Sequence, residues 1–158
     1  MATIQEDIVT FSGMIVQALS SEDLHLNYTL SSTKDIDTFY DKHSVDGVPI
    51  KDGSMVNNLG QILFATGSYI GETIIRIVPE AVWVIDEEDP EGEINVQIKL
   101  PNGALVWPVQ RAIKRFRNGP EDSIYVYVYH IVQPYVDVEQ LLKSEPTVEL
   151  KKKRWWHF

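Results

Sequence analysis

The chain contains no cysteine among its 158 residues, which excludes disulfide bonds and thiolate metal sites. Its four histidines are scattered, and none has the H-x-x-x-H or H-x-x-E spacing typical of zinc ligands. The phosphate-binding glycine loop, the dinucleotide fingerprint and the G-x-S-x-G nucleophile motif are missing as well. We therefore expect no metal and no cofactor, and these absences favour a binding protein over an enzyme.

The sequence also lacks a long apolar run. The longest candidate for a membrane span, residues 59–78, contains Gln61, Glu72 and Arg76. The first residues carry acids where a signal peptide would carry basic residues, and no apolar segment follows them. These features predict a cytoplasmic location.

Positive charge is scarce except in one block. The net charge of −9 divides into +4 for Lys151–Arg154 and −13 for all other residues. An acidic body disfavours binding to nucleic acid, whereas it suits association with a basic protein, because opposite charge accelerates encounter. Six carboxylates crowd residues 86–93 without the spacing of a calcium loop, so we expect a solvated acidic loop whose partner would be a basic protein.

Hydrophobic periodicity predicts one α+β domain over residues 1–150 and a basic, aromatic C-terminal tail over residues 151–158. Helical spacing covers residues 4–19, 33–42, 54–77 and 108–118, and a short helical turn is expected at 138–142. Strand patterns cover residues 81–85, 94–100 and 104–107, with a tight-turn signal at Pro101–Gly103. The predicted fold is a three-stranded antiparallel meander packed against four or five helices.

Two predictions along the chain require a choice. Residues 123–135 contain alternating Val and Tyr, which favours a strand, but Asn118–Asp122 carries the signals of a helix start, so we predict a helix. The 44–53 segment, rich in Gly and Pro, is predicted to be a loop. The cations of the 108–118 helix are expected on its solvated face: Arg111, Lys114, Arg115 and Arg117.

The most unusual segment is the 54–77 helix, which carries three glycines on one face. Gly60, Gly67 and Gly71 are spaced i, i+7 and i+11, although each helical glycine costs about 1 kcal/mol relative to alanine. Something must therefore approach this backbone closely. It is either a ligand or partner segment, or another helix of the same domain.

Glu72 follows the last of these glycines, and two roles are open to it. It is a weak candidate for the general base of a hydrolase or transferase, with Ser68 and Tyr69 nearby. Because no second titratable group is adjacent in sequence, we favour a structural role in which Glu72 anchors backbone or Arg76.

The tail is the second unusual segment, because KKKRWWHF combines a block of cations with aromatic residues. Exposed Trp155, Trp156 and Phe158 would form a contact site for a protein partner, for a second copy in a homodimer, for an anionic membrane surface or for nucleic acid. Alternatively, these side chains fold back onto the domain. The full set of candidate binding residues is Gly67, Tyr69, Gly71, Glu72, Trp83, Trp155, Trp156 and Phe158.

Three short motifs resemble a family of uncharacterised bacterial proteins, a domain of unknown function. They are Ser31–Tyr40 with Asp37, the G-x-Y-x-G-E motif of residues 67–72 followed by Trp83, and Trp107-Pro108 leading to residues 118–123. The resemblance covers roughly residues 30–135. The WWHF end is also similar to aromatic ends of other small bacterial proteins. This likeness implies bacterial origin and a helix after Ser123, but it implies no catalytic role.

From these observations we expect a non-catalytic cytoplasmic binding or adaptor protein. Its acidic surface would neutralise a basic protein, as a toxin-immunity partner does. One alternative is a hydrolase or transferase with a pocket around Glu72. The second alternative is a peripheral membrane-surface protein that binds through residues 151–158.

Overall fold

The structure is a computed structural model that describes residues 1–146. Six α-helices follow one another along these residues: α1 (Ile4–Ser20), α2 (Thr33–His43), α3 (Met55–Ile77), α4 (Pro108–Asn118), α5 (Ile124–Val132) and α6 (Val138–Ser144). Five short strands complete the elements: β1 (Ser44–Val45), β2 (Val48–Pro49), β3 (Val82–Val84), β4 (Gln97–Lys99) and β5 (Leu105–Val106). The α+β class and the three-stranded sheet predicted from the sequence are confirmed.

Helix α3 is the centre of the fold. Helices α1 and α4 both pack on it, and α5 and α2 also contact it. Its second half is almost entirely buried, with Tyr69, Ile70 and Ile74 inaccessible to solvent. The helix ends before Pro79, as the sequence predicts, because a residue that precedes proline is disfavoured in helical conformation.

The strands β3, β4 and β5 form the antiparallel meander expected from the sequence. Trp83 lies opposite Ile98, and Ile98 lies opposite Val106, so the inward-facing side chains of the three strands share one row. Ile98, in the middle of this row, is fully buried in the core. The sheet therefore covers the end of α3 that carries Gly71.

Residues 44–53, predicted to be a loop, contain the two-stranded hairpin β1–β2. Its turn passes through Asp46 and Gly47, which both have positive φ angles (44° and 83°). A two-residue turn of this kind matches the twist of paired strands. The hairpin was missed because each strand has only two residues, too few to show an alternating pattern.

Helix α1 begins with a complete capping box, in which Thr3 and Glu6 each bind the other's backbone N–H. In the part of the chain that the structure describes, no helix is long and apolar enough to cross a lipid bilayer.

Candidate functional site

The glycines of α3 meet three different surroundings. A Cβ atom at Gly67 would lie 2.5 Å from the Cα of Val109 in α4, and one at Gly71 would lie 2.0 Å from the Trp83 ring. A Cβ at Gly60 would meet nothing within 4 Å. Gly67 therefore allows a close helix–helix contact and Gly71 makes room for an indole, whereas Gly60 borders open space.

Glu72 holds the indole that covers Gly71. The Trp83 Nε1–H donates a hydrogen bond of 2.9 Å to a Glu72 carboxylate oxygen. Arg76, the partner considered from the sequence, instead places its guanidinium 3.5 Å from the centre of the Tyr28 ring. The space at Gly67–Glu72 that the enzyme alternative requires is filled by Val109 and Trp83, and the contacts of Glu72 agree with the anchoring role.

Tyr69 is buried and acts as a polar bridge inside the core. Its hydroxyl accepts a hydrogen bond of 2.7 Å from the Tyr28 backbone N–H and is also bonded to the Ser32 hydroxyl. The Tyr28 ring stacks on the Tyr69 ring at 4.8 Å, and the Tyr28 hydroxyl is bonded to Ser12 of α1. Burial raises the pKa of Tyr69 to about 12, so its phenol stays protonated.

The remaining candidates of the sequence, Trp155, Trp156 and Phe158, lie outside the described residues. The structure therefore brings Gly71, Glu72 and Trp83 together in one packed contact, and it packs Gly67 against Val109 of α4. Tyr69 belongs to the polar bridge on the neighbouring face of α3. None of these five residues lines the open groove between α1, α3 and α4.

Open space lies further toward the N-terminal half of α3. A groove of about 490 Å³ runs between α1, α3, α4 and the connection from β3 to β4. This volume is within the range of about 300–1,000 Å³ that is common for ligand sites. We call it the apolar groove, and it is lined by Phe11, Gly60, Gln61, Leu63, Phe64, Pro90, Glu91, Glu93, Ile94, Val109 and Ile113.

The groove stays open because of the local sequence of α3. Gly60 contributes no side chain toward it, and Asn58 leaves helical geometry (φ −130°, ψ 30°), which bends the first turn of the helix. Farther along α3, Phe64 is buried against Phe11 of α1, with ring centres 5.4 Å apart. Both rings line the groove.

One rim of the groove is the acidic connection, residues 86–93. The Asp86 carboxylate accepts the Glu88 N–H at 3.0 Å, and the Asp89 carboxylate accepts the Glu91 N–H at 2.8 Å. A second Asp89 oxygen accepts from the Asn95 amide at 2.9 Å. The hydrogen bonds from the Asn95 amide and from the Glu91 N–H lower the pKa of Asp89. Together with the bond to Asp86, they link neighbouring residues of the connection to one another.

The acidic connection is also attached to the start of α1. The Glu87 carboxylate accepts hydrogen bonds from the N–H groups of Ile4 and Gln5 at 2.8 and 3.3 Å. A carboxylate is favourable at this position because helix N-termini carry partial positive charge. Gly92 is buried against Ile4, since a Cβ there would lie 2.5 Å from its Cδ1. The expected solvated loop is therefore an ordered part of the surface.

The charge of the groove has one sign. Glu91 and Glu93 are exposed at its rim, and the described residues that line it include no lysine, arginine or histidine. Among residues 1–146, no group of three or more His, Cys, Asp or Glu side chains is arranged to hold a metal ion. The arrangement provides an apolar surface beside two carboxylates that form no ion pair with another residue of 1–146.

Sequence reasoning missed a buried ion pair on the other side of α4. Arg115, expected on the solvated face, has a side chain only 2% exposed. Its Nε donates to Asp37 at 2.8 Å, and another nitrogen donates to Asp41 at 2.6 Å. Burial opposes the charged form, but the two carboxylates together raise the pKa of Arg115 above its ordinary value.

Asp37 also organises the start of α5. Its carboxylate accepts from the Ser123 hydroxyl and from the backbone N–H groups of Ile124 and Tyr125, at 2.9 to 3.0 Å. These donors would otherwise be unpaired at a helix N-terminus. Asp37 and Ser123, quoted above from two separate motifs of the resemblance, therefore meet in one structural network with Arg115.

A comparison of the chain with protein-family models, with curated proteins and with solved structures returned no match. The resemblance to a bacterial family therefore stays a prediction.

Proposed function

We propose that this chain is a non-catalytic binding protein for a basic protein partner, and that the apolar groove with its acidic rim is the binding site. The observation that carries the proposal is the position of Glu91 and Glu93 at the edge of an open apolar surface. A partner segment with an apolar side chain flanked by lysine or arginine would bind both the apolar surface and the two carboxylates. The proposed setting is the cytoplasm, where such a protein would neutralise its partner.

The apolar part of the groove would supply most of the affinity. Burial of apolar surface contributes roughly 25 cal/mol per Å², so one inserted Leu or aromatic side chain contributes about 2 kcal/mol. Among residues 1–146, no atom lies within 4 Å of the Cβ position of Gly60. A partner would therefore enter without displacing a side chain of these residues at that position.

The acidic rim would supply orientation and speed of association. Hydrogen bonds to the carboxylates of Asp86 and Asp89 hold the backbone of the rim at Glu88 and Glu91, so this backbone needs no reordering when a cation approaches. Exposed charge of this kind acts mainly on the association rate and is screened by salt. We therefore expect binding to weaken as ionic strength rises, but not to vanish, because the apolar contribution is independent of salt.

The test uses a synthetic 12-residue peptide of lysine, leucine and tryptophan, with a second peptide in which serine replaces leucine and tryptophan. We expect the first peptide to bind the full chain and the second to bind at least ~10-fold more weakly, since the apolar contribution is lost. Isothermal titration at two salt concentrations measures both affinities. Equal binding of the two peptides would contradict the proposal, because it would reduce the interaction to charge alone.

Two matched double variants locate the site. Glu91→Gln with Glu93→Gln removes the rim charges, whereas Glu121→Gln with Glu139→Gln makes the same change in net charge at exposed positions outside the groove. We expect the first pair to weaken peptide binding about 5- to 10-fold at low salt and the second pair to leave it unchanged. Gly60→Trp, which fills the groove, is expected to abolish binding.

A further inference from the structure

We propose that the segment Lys151–Phe158 of the same molecule occupies the apolar groove and competes there with the partner. This inference rests on the proposed function, since it concerns the regulation of the same site. The composition of the segment matches the groove, since it combines apolar side chains with positive charge. It places Trp155, Trp156 and Phe158 directly after four consecutive cations.

Charge and apolar character are complementary between the two parts. The groove offers apolar walls from Phe11, Leu63 and Ile113, and its rim carries Glu91 and Glu93 without a basic residue in the lining. The segment contributes +4, whereas the rest of the chain carries −13. An aromatic side chain seated in the groove would bring the adjacent cations to the level of the rim carboxylates.

The chain is long enough for this arrangement. Glu145 is fixed near α2, where its carboxylate accepts from the Ser31 N–H at 3.2 Å. The ten residues from Glu145 to Trp155 span about 33 Å when extended, which is most of the breadth of a compact domain of this size.

Occupation by its own segment would set a threshold for the partner. An intramolecular competitor acts at an effective concentration that reaches the millimolar range for short connections, so only a partner of higher affinity would displace it. The protein would then ignore the many weakly basic proteins that an acidic surface attracts. This selectivity is the expected consequence for function.

The absence of cysteine makes the test specific. In the full chain, Gly60→Cys places a thiol in the groove, where a Cβ meets nothing within 4 Å, and His157→Cys places a second thiol between Trp156 and Phe158. We expect mild oxidation to form an intramolecular disulfide in this double variant, detected by intact mass and by gel mobility without reductant. An excess of the lysine–leucine–tryptophan peptide should slow its formation.

The matched control is Gly13→Cys with His157→Cys. Gly13 is also an exposed helical glycine with nothing within 4 Å of its Cβ position, but it does not line the groove. We expect the Gly60 pair to close at least ~10-fold faster than the Gly13 pair. Equal rates would overturn the inference, and a disulfide between two chains would overturn it in favour of exchange between copies.

Failure of the inference can be separated from failure of the proposed function. If the disulfide does not form preferentially but the peptide still binds the unmodified chain and requires Glu91 and Glu93, the groove is a binding site without an internal competitor. If the peptide does not bind even when Trp155 and Trp156 are both replaced by serine in the full chain, both proposals are wrong. Tighter peptide binding by that tail variant would support the inference.

Discussion

Gly67 is the residue at which packing leaves the least freedom. A Cβ atom added to residue 67 would lie only 2.5 Å from the Cα of Val109 in α4. A backbone atom cannot rotate away as a side chain does, so α4 as a whole would have to move. The glycine is required by the approach of a second helix, which is the second of the two explanations considered from the sequence.

Gly67→Ala is therefore expected to destabilise the protein by about 2–3 kcal/mol, because overpacking outweighs the gain in helix propensity. Gly13→Ala is the matched change, since Gly13 is a helical glycine in open space, and it should raise the free energy of unfolding by up to ~1 kcal/mol. Urea denaturation of both variants measures the difference. A Gly67→Ala variant as stable as Gly13→Ala would show that α4 moves easily.

Glu72 shows how a carboxylate beside a glycine can be mistaken for a catalytic group. The sequence places it next to Gly71 without a second titratable neighbour, and the structure has the Trp83 indole bound to it at 2.9 Å. The sequence could identify the unusual residues at this position. It could not show that Trp83, eleven residues later and on a strand, lies against Gly71, because that contact depends on how the sheet packs on α3.

At the scale of elements, α2 and α5 are held together by Asp37. This side chain binds the buried Arg115 of α4 and also accepts the first N–H groups of α5. Three helices therefore share one carboxylate that is 18% exposed. Loss of its charge would leave Arg115 buried with a single carboxylate, Asp41, and the start of α5 without its acceptor.

Asp37→Asn is expected to reduce the free energy of unfolding by about 3 kcal/mol, because the buried Arg115 would keep only the half-exposed Asp41 as its charged partner and the first N–H groups of α5 would lose a charged acceptor. The matched substitution Asp41→Asn should cost about 1 kcal/mol or less, since that side chain is 55% exposed and water replaces it. Thermal and urea unfolding give both values. Equal losses in the two variants would mean that the hydrogen bonds to α5 contribute little.

At the scale of the whole molecule, acid stability depends on contacts that join distant segments. Glu22, just after α1, is bonded to His43 at 2.7 Å and to Lys42 at 3.0 Å, both at the end of α2. Burial opposes ionisation of Glu22, but these two partners lower its pKa below the ordinary value. A lowered pKa in the folded state means that the ionised carboxylate stabilises the fold.

This stabilisation is present above the unfolded pKa, near 4.5, and is lost as the pH falls below it toward the lowered folded value. Glu22→Gln should therefore be less stable than the unmodified protein at pH 7, and the two should converge toward pH 3. The Glu139 side chain, which pairs with Lys143, is 82% exposed, so Glu139→Gln should show little difference in stability at either pH. Urea denaturation across this pH range measures the difference, and a constant difference would contradict the assignment.

The sequence by itself determined the class of the fold and most of its elements. Apolar spacing, helix-start signals and turn residues are local properties, so the six helices and the three-strand meander could be predicted from them. The composition also established the acidic body and the absence of cysteine. The glycines at 60, 67 and 71 marked α3 as unusual, but their common spacing suggested one neighbour, whereas Val109 packs on Gly67, Trp83 packs on Gly71, and Gly60 borders open space.

Only the tertiary structure decided which groups the unusual residues contact. The sequence predicted a helix after Ser123 despite the strand-like composition of residues 124–132, but it could not show that the distant Asp37 accepts the first N–H groups of this helix. Arg115 is buried because two carboxylates of α2 reach it, and the apolar groove exists because α1, α4 and the acidic connection meet around Gly60. Each outcome depends on groups far apart in the chain, so no local pattern could contain it.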